Sequence, residues 1–254
     1  MALNPVLHAP SIAQKLEQVE NCIHHLLCRP TPERVPELPG RDITYLPISF
    51  LQGRMGLSTR EGQQKLIHDL ANIELQAMEL GVRTLCEFPN APKDFREALG
   101  QIVLEEAKHL RLCLEGLESL GGYWGQWPVH LGLWHATHAK DSLLERVFIV
   151  HRYLEGSGLD AGDTLLRRLS SVPSPVVKQV VETIVNEEVG HVAFGSRWYR
   201  QLCEQQSVDE ALFFARLCFE LKTRHPRKDK ISETLRHKAQ FNEFEIRTLK
   251  KFRL

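Results

Sequence analysis

Two copies of one short pattern stand 82 residues apart in this chain: Glu105-Glu106-Ala107-Lys108-His109 and Glu187-Glu188-Val189-Gly190-His191. Each has a lone glutamate upstream at nearly the same distance. Glu74 precedes Glu106 by 32 residues and Glu155 precedes Glu188 by 33, so that the interval from Glu74 to Glu155 is 81. The repeat constrains the fold to two halves that present matching carboxylates and imidazoles.

A Glu and a His three residues apart lie about 60° apart around a helix, so both can point into one space. Carboxylate oxygen and imidazole nitrogen suit divalent first-row metals. One Glu from each of two helices and Glu-x-x-His from each of two others match the ligand inventory of ferritin-like di-iron and di-manganese proteins. The doubled glutamates need a choice, since Glu105 and Glu187 stand four residues before the histidines and also share their face. Glu106 has Ile102, Val103 and Leu110 three or four positions away, and Glu188 has Ile184, Val185 and Val192. Glu105 has Gln101 and Lys108 at those offsets, and Glu187 has Thr183 and Gly190. An unpaired carboxylate on the apolar face would be costly, which favours Glu106 and Glu188 as ligands. A single Glu-x-x-His in a chain that is 25% charged would read as a solvated helix face. Two matched copies do not.

The 254 residues suffice for a substantial core, and we expect one main domain with extensions. No apolar run approaches the ~20 residues needed to span a bilayer. The start, Met1-Ala2-Leu3-Asn4-Pro5, has neither a basic region nor an apolar signal core, so a cytoplasmic protein is expected. Cys22, Cys28, Cys86, Cys113, Cys203 and Cys218 form no Cys-x-x-Cys pair and read as buried or idle thiols. Cys113, four residues beyond His109, is read as core packing. Net charge is zero, but residues 221–254 hold 11 Lys or Arg against 4 Asp or Glu. Such a segment could hold an anionic partner such as RNA; a solvated helix face is the preferred reading.

Periodicity predicts an all-α protein. A first helix over 11–28, capped by Ser11, leads to a connection with Pro30, Pro32, Pro36, Pro39 and Pro47. Residues 1–60 are expected to wrap a four-helix bundle over 61–222, followed by a basic helical segment over 223–254. Within the bundle, helices over 59–87 and 92–120 form a hairpin carrying Glu74 and Glu106/His109. A third helix over 139–156 ends at Gly156-Ser157-Gly158, a short one covers 162–170, and the fourth runs over 174–204. Later helices are expected over 208–222 and 229–250. Glu155 therefore lies at a helix end, with Glu145 as its rival on the same helix. His151, four residues before Glu155, is read as a packing histidine, a seventh ligand or a donor to Glu155 being the alternatives.

At these residues the chain resembles a largely bacterial, ferritin-like family whose name records only that its function is unknown, within the ferritin-like di-iron carboxylate superfamily. The likeness covers residues 30–205 and includes Ile73-Glu74-Leu75-Gln76-Ala77, Gly132-Leu133-Trp134, Leu154-Glu155, Gly158-Leu159-Asp160 and Gly190-His191-Val192-Ala193-Phe194-Gly195-Ser196-Arg197-Trp198. It implies a ferritin-like bundle whose dinuclear site takes Glu74, Glu106, His109, Glu155, Glu188 and His191. Relatives carry Ala-Arg in place of Gly156-Ser157, an acidic residue in place of Leu131 and His in place of Asn72. No proposed ligand is lost.

The expected function is a di-iron oxidoreductase that activates dioxygen to oxidise or hydroxylate a small organic substrate, drawing on an external electron donor. Manganese or a mixed Mn/Fe pair would suit the same ligands. Trp124, Trp127, His130 and Trp134, in the loop after the hairpin, are candidates for a substrate entrance; apolar capping of the bundle end is the alternative. Competing functions are ferroxidase or iron storage, di-manganese peroxide dismutation, and a metal that only holds the bundle together. A homodimer fits the bundle type.

Overall fold

The computed structural model describes residues 3–31, 33–51, 53 and 55–253, so that Met1, Ala2 and Pro32 of the readings above lie outside the described residues. The described residues are helical, with isolated bridges Leu3 to Arg34 and Tyr45 to Val129 as the extended pairings. They form two compact units, Met1–His135 and Ala136–Leu254. No helix among them is long and apolar enough to cross a membrane.

In the first unit, α1 (Pro5–His8) and α2 (Ile12–Cys28) precede the long α3 (Arg60–Glu87) and α4 (Lys93–Ser119). Local chemistry sets the ends. Ser11 and Gln14 make a reciprocal capping box at α2, and the Thr59 hydroxyl accepts from Gly62 N–H at the start of α3. At the end of α4, Gly121 adopts φ +72°, which lets Gly121 and Gly122 N–H return to the carbonyls of Glu118 and Leu117. Helix α2 is fastened to α4 by Arg96, which donates to Leu26 O, and Arg111, which donates to Leu16 O at 2.9 Å. Inside the unit, the Glu79 carboxylate, fully buried, meets Lys15 at 3.1 Å and both nitrogens of the Arg41 fork.

The second unit contains α5 (Leu143–Val147), a π-helical turn over Phe148–Leu154, α6 (Glu155–Leu169), α7 (Pro175–Gln205), α8 (Glu210–Arg224), α9 (Glu233–Lys238) and α10 (Glu243–Phe252). The expected helix end at Gly156-Ser157-Gly158 is absent: residues 143–169 are one continuous helical rod, joining what the sequence reading divides. Two glycines of the rod, Gly156 and Gly162, serve packing. A Cβ on Gly156 would come 2.2 Å from Nη1 of Arg236, and one on Gly162 would come 2.3 Å from Cγ2 of Val185. A mid-helix glycine costs about 1 kcal/mol against alanine. Here it admits a guanidinium and a neighbouring helix. The expected single helix over 229–250 is two, broken where Gln240 takes φ +66°.

The basic C-terminal stretch is partly internal rather than a solvated face. Arg236 is fully buried, and its guanidinium meets Asp160, also fully buried, at 2.7 Å. Arg253 pairs with the same carboxylate, and Ser232 N–H donates to it at 2.9 Å. Lys250 meets Glu233 at 2.9 Å on the surface. Removing one partner of a buried pair typically costs about 3–5 kcal/mol because a desolvated charge is left behind. Arg236→Ala is therefore expected to destabilise the second unit by about that amount, and Arg253→Ala by less, since Arg253 keeps some solvent contact. Denaturant titration of both variants checks this; equal losses would remove the distinction.

Candidate metal centre

The first Glu/His set lies wholly in the α3–α4 hairpin. Glu74 of α3 is 3% exposed, and Glu106 and His109 of α4 are 1% and 0% exposed. Their ligand-type atoms fall within 4.8 Å of one another. His109 Nδ1 lies 3.4 Å from Glu74 and 3.6 Å from Glu106. Burial alone pulls the imidazole down, but hydrogen bonding to Glu106 and Glu74, with their charges, outweighs it and pushes His109 up to about 11. Glu105 is only half-buried, so Glu106 lies on the more buried face of α4. Burial, then the charges of Glu74 and Glu106, raises the Cys113 thiol well above its ordinary range. It stays a neutral packing group. Burial likewise raises Cys22 to about 11 and Cys218 to about 12, so these are inert thiols as read.

The second set divides into two contacts within its own unit. On α7, His191 is 1% exposed and its Nδ1 lies 3.1 Å from Glu188. At the junction of the π turn and α6, Glu155 meets His151, whose Nδ1 lies 2.8 Å from one carboxylate oxygen and 2.9 Å from the other. Glu155 thus sits in the middle of a continuous rod, not at a helix end. Its rival Glu145 is engaged elsewhere, closing a capping box with Ser142 and facing Arg216 at 3.8 Å. Glu187 and Glu188 are both half-buried, so burial does not separate them as it separates Glu105 from Glu106.

A clamp holds the π turn. Its Arg152 is 1% exposed, with the guanidinium 4.3 to 5.1 Å from the rings of Phe241, Tyr199 and Phe214 and 2.8 Å from Glu245. The carbonyl of Arg152 accepts from Arg236 at 3.1 Å. Side chain and main chain of the turn are therefore gripped by residues from α7 to α10. A π segment inside an α-helix is uncommon and recurs at functional sites. Sequence reasoning missed the partners of Arg152, Glu245 among them, and the π turn itself, because those partners are 47 to 93 residues away and no local pattern announces them.

The four aromatic loop residues are built into the first unit. A polar stripe on α3, Gln64, His68, Asn72 and Gln76, ties the loop down. Gln64 donates to Leu120 O, Gly125 N–H donates to His68, and Asn72 and Gln76 both donate to the His130 carbonyl. Trp124 stacks on His68 with centroids 4.9 Å apart, and Trp127 meets it edge-on. Trp134 is 2% exposed and donates to Glu37 O. A cavity of about 350 Å³ beside the loop is lined by Asp42, Ile43, Thr44, Leu46, Gly125 and Pro128 rather than by those four residues.

In each unit, then, buried imidazoles face carboxylates on otherwise apolar helix surfaces. That donor chemistry fits divalent first-row metals. The family model described as "Protein of unknown function (DUF455)" matches residues 8–247. The chain belongs to the DUF455 family. It is also similar to an uncharacterized protein of Haemophilus influenzae, 30% identical over 172 residues, which are 65% of this chain and 60% of that relative. The matched part is thus about three fifths of the relative's length. No solved structure matches.

The loop contact makes one group sensitive to pH. Burial, reinforced by the Lys65 charge, pushes His68 down to about 4, so it is neutral in the folded chain. Its Nε2 accepts from Gly125, which leaves the proton on Nδ1. The unfolded chain takes up a proton below about 6.5, and the folded one resists until about 4. Stability from this group is present above that window and is lost as pH falls through it, by an amount on the order of 3 kcal/mol in all and about 2 kcal/mol by pH 5. Thermal melts at pH 7 and pH 5 are expected to show a smaller difference for His68→Gln than for the wild type.

Proposed function

We propose that this protein is a ferritin-like di-iron carboxylate oxidoreductase, in which Glu74, Glu106, His109, Glu155, Glu188 and His191 hold two iron ions. The observation that carries this reading is the duplicated Glu-x-x-His motif, each copy with a buried imidazole whose Nδ1 faces a carboxylate in its own unit. When bound, a ferrous pair supplies electrons and open coordination positions for dioxygen activation. The chain's contribution is orientation and exclusion of water. Glu74, Glu106, Glu155 and Glu188 would supply carboxylate oxygens, and His109 and His191 would each supply a neutral imidazole nitrogen oriented by its helix. Ile102, Val103 and Leu110 beside Glu106 are buried and keep that face dry, and Ile184, Val185 and Val192 beside the half-buried Glu188 are buried as well. Manganese, alone or with iron, fits the same donors. Dioxygen, an organic substrate and an external electron donor are the partners this chemistry requires.

The test is metal content after anaerobic iron loading, followed by the optical spectrum on exposure to air. About two irons per chain and an oxo-bridged ferric band are expected. Glu106→Ala and His191→Ala are each expected to lower that stoichiometry while leaving helix content, measured by circular dichroism, largely intact. Unchanged iron in both variants would refute the ligand assignment. One tightly held zinc in place of iron would point to a structural metal.

A further inference from the structure

The second unit carries a third imidazole that the duplicated motif does not supply. His151 is 3% exposed, and its Nδ1 is the atom turned toward both oxygens of Glu155, at 2.8 and 2.9 Å. His109 and His191 present the same ring atom to their carboxylates, at 3.1 to 3.6 Å. His151, like the two motif histidines, is buried with Nδ1 toward a carboxylate, although it faces Glu155 alone whereas His109 faces both Glu74 and Glu106. A Cβ on Gly195 of α7 would come 2.5 Å from the Cβ of His151, so the glycine makes the room. Phe194 holds the ring edge-on, with centroids 5.0 Å apart. The position 81 residues earlier, which would be its counterpart in the first half, is Leu70.

We propose that His151 is itself a metal ligand through Nδ1, a seventh protein donor, so that the two metal positions are chemically unequal. This rests on the dinuclear reading above. Four carboxylates and three imidazoles over two ions cannot be shared equally. Imidazole favours iron, copper, nickel and zinc, whereas carboxylate-rich sets accept manganese. The position served by Glu155 and His151 is then the one that prefers the later first-row metals.

Cobalt(II) tests this without any turnover. A histidine bound to cobalt(II) shows a strongly shifted, solvent-exchangeable imidazole N–H proton signal, which a histidine that only hydrogen-bonds a ligand does not. Three such signals are expected from the cobalt-loaded wild-type chain in water. His151→Ala is expected to remove one and to weaken one of the two cobalt equivalents by about tenfold or more. His151→Gln retains a donor toward Glu155; it would restore affinity if the side chain only orients that carboxylate, and restoration would overturn the proposal. Two signals in the wild type would overturn it as well, leaving the dinuclear reading intact. No cobalt uptake would overturn both. The wild-type count decides even if neither variant folds.

Discussion

The constraint on which this structure turns is the desolvation of carboxylates inside helices. Glu74, Glu79, Glu106, Asp160 and Glu245 are all 3% exposed or less, and an isolated ionised carboxylate in such surroundings is too costly to persist. Each has a positively charged or protonatable neighbour. Glu79 has Lys15 and Arg41, Asp160 has Arg236 and Arg253, and Glu245 has Arg152. Glu74 and Glu106 have His109. The difference in partner is chemically informative. A guanidinium or ammonium is a permanent partner that satisfies the charge, while an imidazolium can release its proton to solvent and leave a neutral nitrogen able to bind a metal.

The permanent pairs also shape the other set. Arg236, held by Asp160, lies against Gly156 and donates to the carbonyl of Arg152, so the pair sets the path of the rod at the π turn. Arg152 in turn is fixed by three rings and Glu245. His151 and Glu155 flank Arg152 in sequence, and their mutual contact depends on that path. The C-terminal helices, read from sequence as an extension, thereby support the turn that carries a proposed ligand.

Much of the architecture is written in local chemistry. Ser11, Thr59 and Gly121 mark helix boundaries because capping is decided by a few adjacent residues. The apolar neighbours of Glu106 told it from Glu105 because burial follows helix phase. The misreadings came where a local signal served a distant partner. Gly156 resembles a helix terminator, and only Arg236, 80 residues on, explains it as a packing contact. The same applies to Arg236 and Arg253, which look like surface charge until Asp160 is seen opposite them. His151 reads from sequence first as a packing histidine, and its contact with Glu155 at 2.8 Å becomes visible only once the ring atom is placed. Two compact units, divided near residue 135, also had no compositional marker.

The aromatic loop shows why residue type alone is weak evidence for a binding site. Tryptophans attract attention as ligand-binding groups, yet each here has a structural task that can be named: Trp124 and Trp127 enclose His68, and Trp134 hydrogen-bonds Glu37. The backbone between them is held at successive turns of α3 by Gln64, His68, Asn72 and Gln76. Opening such a loop would strand several buried amide and carbonyl groups at once, each costing roughly 1–3 kcal/mol unless water replaced the contact. The loop is therefore better suited to be a fixed wall than a moving lid. A substrate reaching the first unit from this side would have to fit the existing cavity by Asp42 and Pro128 rather than displace the tryptophans.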